Sequence, residues 1–168
     1  MDVSDIAGNV SDDDKARIKG AILARNPEGS FAAWIAERLK LVKVETIQDD
    51  NAPSKSIYRV VHEIEACDEM DNGGGSVHGG CIAHLGSICS SSTFLLDSRW
   101  TGVQMTATLD VVYHSPIRSG DLVRIVSTSV AFGGRVATSR FEVWNRTRNA
   151  LAASGLQVKR RPPNKSNL

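Results

Sequence analysis

Between Asn72 and Gly80 the chain reads NGGGSVHGG, five glycines around one histidine. A serine- and glycine-rich apolar run follows, GGCIAHLGSICSSSTFLL over 79–96. Three roles fit a glycine-rich loop ahead of a helix. A phosphate cradle needs GxxxxGK[ST], or GxGxxG inside a βαβ unit. No such lysine follows here, and the later strands read as antiparallel. A plain turn would leave His78 as a loop histidine without chemistry. The third role is a site at a helix start, where free N–H groups and the positive dipole end meet a developing oxyanion. Glycine directly after His78 lets a carbonyl approach the backbone with no Cβ in the way.

Such a site needs elements to hold it. Residues 12–25 carry apolar positions at Ala16, Ile18, Ala21, Ile22 and Leu23, acids in front and Arg25 behind, which predicts an amphipathic helix. After the NPEG break, residues 30–40 predict a second helix with Ser30 as its cap. LVKVETIQ and SIYRVVHEIEA read as strands about the turn DDNAPS. Residues 79–96 hold Gly79, Gly80, Gly86 and several serines, so intrinsic propensity cannot sustain that helix. Packing must, and small residues allow a close approach. Its apolar residues point in most directions, which predicts a buried helix. Four strand patterns follow at 103–115, 121–132, 135–145 and 150–160, with short breaks that predict an antiparallel meander. The fold class is therefore α+β: an antiparallel β-sheet curved around one long central helix, with an N-terminal helical extension.

Composition narrows the function. A chain of 168 residues, 41% hydrophobic and 23% charged, is long enough for one domain with a real core. Its net charge of +1 argues against a nucleic-acid partner. No apolar run reaches the roughly 20 residues of a membrane span. The acidic start MDVSDIAGNVSDDDK is neither a secretory signal nor a good transit peptide. Cys67, Cys81 and Cys89 cannot all pair within the chain and have no CxxC spacing. An intracellular, reduced location is expected, cytoplasmic first. The terminal Ser-Asn-Leu is close to the peroxisomal Ser-Lys-Leu address, and a mitochondrial location is a further option. His62 and His114 lie in separate strands with no metal-ligand spacing, so no metal is expected.

Asn-x5-His-Gly-Gly, opening a small-residue helix and followed by MTATLDVVYHSPIRSGD and then GGR, resembles the hotdog-fold acyl-CoA thioesterases. The likeness spans roughly 40–160 and is nearest the PaaI-like group of the thioesterase superfamily. It implies a hotdog domain over 41–161, a helical extension over 1–40 and a basic tail over 162–168. It also implies hydrolysis of acyl-CoA to free acid and coenzyme A, with no cofactor beyond the coenzyme A of the substrate. In the family Asn72 would hold substrate or water, His78 would shape the loop, and the Gly79 N–H would polarise the thioester carbonyl. Thr106 would help orient water. Tyr113, Ser115, Pro116 and Arg118 would lie along coenzyme A, and Gly134 and Arg135 would meet its phosphates. The family's site lies between chains, so self-association as a dimer or a dimer of dimers is implied, homotetramer included.

One position departs from the family. Nine residues after His78, where the family has Asp or Glu as base or nucleophile, this chain has Ser87. A serine has no base character near neutral pH and needs an activating partner. His84, one turn earlier, is a candidate, though a helical histidine is more often structural. The expectation is a thioesterase weakened or altered at Ser87. The alternatives are a non-catalytic acyl-thioester binder, or a thioesterase for acyl or polyketide chains on a carrier protein.

Overall fold

The computed structural model of the protein describes residues 1–100 and 102–162. Residues 163–168, with most of the expected tail and the terminal Ser-Asn-Leu, lie outside it. The elements are α1 (Asp12–Arg25), α2 (Ala33–Arg38), β1 (Lys40–Asp49), β2 (Ala52–Glu65), α3 (Gly79–Ser91), β3 (Met105–Tyr113), β4 (Leu122–Phe132), β5 (Val136–Asn145) and β6 (Ala150–Arg160). All pairings are antiparallel, in the order β1-β2-β4-β5-β6-β3. The sheet packs around α3 and its 3-10 continuation Ser92–Leu96. This is the hotdog arrangement.

Two expectations need correction. The last four strands are not one meander: β3 pairs with β6, on the far side of the sheet from β4. The segment 114–121 is not a hairpin but a crossover. It runs beneath the start of α3, where the Val77 N–H donates to the Ile117 carbonyl at 2.8 Å and Gly120 donates to Ala66 at 2.8 Å. Ser30 does not cap α2. Its N–H closes a turn on Pro27 and its carbonyl accepts from Ala33, so the helix starts after Ala32, a left-handed residue at φ 53°. Ser11, by contrast, caps α1 by accepting from Asp14 N–H.

The N-terminal segment closes one end of the core. Ile18 of α1 packs with Val3, Ile6, Val44, Val60 and Leu95, and Arg17 donates to the Leu95 carbonyl at 2.9 Å. The main core joins Ile82, Leu85 and Cys89 of α3 to Ile64, Ile125, Phe141 and Val143 of the sheet. The stretch Gly79–Leu96 is long and apolar enough by composition to cross a membrane, but more than half of it is buried inside the fold. Its apolarity is that of a core helix.

The weak helix formers of α3 have a steric cause. A Cβ on Gly86 would lie 2.4 Å from the Phe141 ring, and one on Gly155 of β6 would meet the same ring at 2.4 Å. Phe141 is thus wedged between helix and strand. Gly86→Ala would gain about 1 kcal/mol of helix propensity. Overpacking costs about 1–3 kcal/mol and should win. The expected outcome is a lower melting temperature; a stabilised variant would show that the helix does not sit this close.

His62 of β2 is fully buried, and neither ring nitrogen has a protein partner. Burial pushes its pKa from 6.5 down to about 3. Below pH 6.5 the unfolded chain takes up a proton that the native chain refuses. Its contribution to stability is full above that pH and falls by up to about 1.4 kcal/mol per unit down to about pH 3. Urea midpoints measured from pH 7 to pH 4 should fall less steeply for His62→Leu than for the native chain. Parallel slopes would contradict this.

Candidate active site

The expected residues fall into two groups at opposite ends of α3. At its start, His78 is the N-cap, and its Nδ1 accepts from Gly80 N–H at 2.9 Å. That takes up one first-turn donor. The Gly79 N–H beside it has no intrahelical acceptor. The Tyr113 hydroxyl of β3 donates to the Gly79 carbonyl at 2.8 Å. Gly79, Tyr113, Ser115 and Pro116 line a groove of about 340 Å3. Asn72 is spent on the loop itself: its Oδ1 accepts from Gly74 N–H at 2.7 Å, and its Nδ2 donates to Ser76 Oγ at 3.1 Å. Asp71, which the sequence did not single out, braces the same loop through Gly73 and Ser76. Arg118 donates its N–H to Asp121 Oδ2 at the end of the crossover, with its own residue exposed.

The second group surrounds Ser87. Its hub is Gln157 of β6, fully buried. Gln157 Nε2 donates to Ser87 Oγ at 2.8 Å and to Thr106 Oγ1 at 3.2 Å. Its Oε1 accepts from Ser90 Oγ at 2.8 Å and Ser91 Oγ at 3.2 Å. Ser91 shares its one proton with the Ser87 carbonyl at 2.6 Å, and the other three hydrogen-bonding positions of the amide are used. Ser87 and Thr106 come together because this side chain bridges them. Strand alternation held the signal: 153, 155, 157 and 159 share one face of β6, and on it Gln157 follows Ala153 and Gly155.

His84 does not activate Ser87. Its ring packs edge-on against Phe31 at 5.3 Å, its Nε2 is buried without a partner, and burial pushes its pKa down. Nor does a thiol replace the missing carboxylate, since burial raises Cys81 to about 11.

Beside Ser87 lies a cavity of about 160 Å3 between α1, α3 and β6. Arg25 stands at its exposed rim and Lys159 is half-buried within it. Lys159 is the penultimate residue of β6, on the face that carries Gln157. Burial first, and then the Arg25 charge, push its ammonium down to about 8. Gly134 and Arg135 form the β4–β5 turn at this end, where the Arg135 carbonyl accepts from Arg161 N–H at 3.1 Å.

Eight residues of one helix separate Gly79 from Ser87, about 12 Å of rise. One carbonyl cannot touch both within a single chain.

A family model described as the thioesterase superfamily matches residues 74–152, which run from the glycine loop through β3, β4 and β5 into β6. Over those residues the chain is similar to the thioesterase superfamily. A search of curated protein sequences returned no significant match. Among solved structures, zebra fish thioesterase superfamily member 2 superposes with a TM-score of 0.68 at 18% identity, covering 90% of this chain and 99% of that one. The Escherichia coli PaaI protein from the phenylacetic acid degradation operon gives 0.62 at 15% identity, over 88% and 98%. A Streptococcus mutans protein solved bound to acetyl CoA gives 0.57 at 20% identity, over 73% and 86%. At these identities the likeness is one of fold. Within this fold the loop and the helix start lie at one end of α3, and Ser87 lies toward the other.

Proposed function

We propose that the protein binds and hydrolyses acyl-CoA thioesters at a site completed by a second copy of the chain. The observation that carries this reading is the placement of the Gly79 N–H at the mouth of a groove, about 12 Å along α3 from the Ser87–Thr106–Gln157 cluster. The carbonyl would be polarised by Gly79 of one copy. Water would be held by Ser87 and Thr106 of the other. The open edge of the sheet supports such pairing. Among the described residues β3 pairs only with β6, and Val112 and Tyr113 are each more than half exposed. The acetyl CoA carried by one structural neighbour supports a coenzyme A ester as ligand. Coenzyme A would come with the substrate, and no cofactor enters the reading.

The cluster is rich in hydroxyl donors and has no carboxylate to take a proton from water. Turnover by the native chain should therefore be slow. The same observation favours a second reading, a binder of acyl thioesters that does not turn them over. Thiol release from a panel of short-chain, long-chain and aryl-CoA thioesters separates the two. Release above the uncatalysed rate, lost on gel filtration as monomer, supports hydrolysis. Stoichiometric binding without release supports the binder, and neither binding nor release removes both.

A further inference from the structure

The cavity beside Ser87 has a composition that hydrolysis of a plain acyl chain does not use. Two cations line it, Arg25 and Lys159, and no aspartate or glutamate does. Among the described residues neither cation makes an ion pair. Three hydroxyl residues share the wall, Ser87, Ser91 and Ser92. Ser92 is 1% exposed and its buried Oγ has no hydrogen-bond partner. Asn26 adds an amide whose Nδ2 is spent on the Ile22 carbonyl, and the remaining lining is apolar: Ala21, Ile22, Ile88 and Leu95. Two like charges converging on one space repel each other, and an anion between them removes that repulsion. Charge-assisted hydrogen bonds from Lys159, Arg25 and a free serine hydroxyl would hold it.

We propose that this cavity receives a carboxylate at the far end of the acyl chain, so that the preferred ligands are monothioesters of short dicarboxylic acids. The inference rests on the acyl-CoA reading above, because that reading puts Ser87 next to the thioester carbonyl. Ser87 also lines the cavity, so the group that enters is the acyl chain. Apolar walls suit the intervening methylenes. The cavity of about 160 Å3 is small, which suits a short chain.

The test compares glutaryl-CoA with pentanoyl-CoA, which have the same number of acyl carbons, by calorimetric binding and by thiol release. The native chain should bind glutaryl-CoA at least about tenfold more tightly. In Lys159→Met, which keeps an unbranched apolar stem, that ratio should fall to about one; in Arg25→Gln, at the exposed rim, it should fall part-way. Equal binding of the two esters by the native chain, or a ratio unchanged in both variants, overturns the proposal while leaving thioester hydrolysis standing. If neither ester binds or turns over, the acyl-CoA reading fails by itself. Free glutarate and pentanoate then decide the cavity: a melting-temperature rise with glutarate alone, absent in Lys159→Met, keeps it as a carboxylate site, and no difference ends it.

Discussion

Ser87→Asp should release thiol from acyl-CoA at least about 100-fold faster than the native chain, the lower end of what a general base contributes. The position is ready for a carboxylate. Gln157 Nε2 already donates to the residue at 87 from 2.8 Å, and the Thr106 hydroxyl shares the same amide donor. Lys159 and Arg25 face the adjoining cavity and would keep the new acid ionised, as a base must be. Those cations would also lower its pKa, so the gain should extend to mildly acidic pH. The comparison is of initial rates at saturating substrate, native against variant. A native chain already fast, and killed by the substitution, would mean that the serine itself carries the reaction. No gain from a slow start would mean that the residue at 87 does not face the attacking water.

Gly79→Pro should lower kcat by about 100- to 1000-fold, the loss typical of removing one oxyanion donor. Proline takes away the N–H and little else. It is well tolerated at the first position of a helix. His78, at φ −59° and ψ 133°, already has the extended geometry that a following proline demands. Gly79→Ala is the control. It keeps the N–H, and its Cβ would sit 3.3 Å from the Tyr113 ring, a contact the half-exposed tyrosine can relax. The clearest background is Ser87→Asp, where the signal is largest. Equal rates for proline and alanine would remove the Gly79 N–H from the mechanism.

Local patterns announced most of the fold. Strand β6 runs over Ala150–Arg160, as its alternation indicated, and α1 over Asp12–Arg25 with its acids at the capped end. The glycines of α3 signalled a close approach, but only the structure names Phe141 as what approaches. The partner of β3 was hidden because a short connection looks the same in sequence whether it turns back or crosses over. Val3 and Ile6 are buried in the acidic first residues, where one or two apolar residues make no period to read. At the site, His78, Gly79 and Ser87 stand out by type and spacing. Gln157, Lys159 and Arg25 meet Ser87 from β6 and α1, and no spacing along the chain encodes that meeting.

The 12 Å of helix between Gly79 and Ser87 has a consequence for mixtures of chains. On the two-copy reading, each pair holds two sites, and every site borrows one half from each chain. A chain broken at Gly79 and another broken at Thr106 would each be inert alone. Mixed and allowed to exchange, they would form pairs with one site spoiled twice and one left whole. Two defective alleles would then restore activity between them, while a single chain carrying both defects would rescue neither.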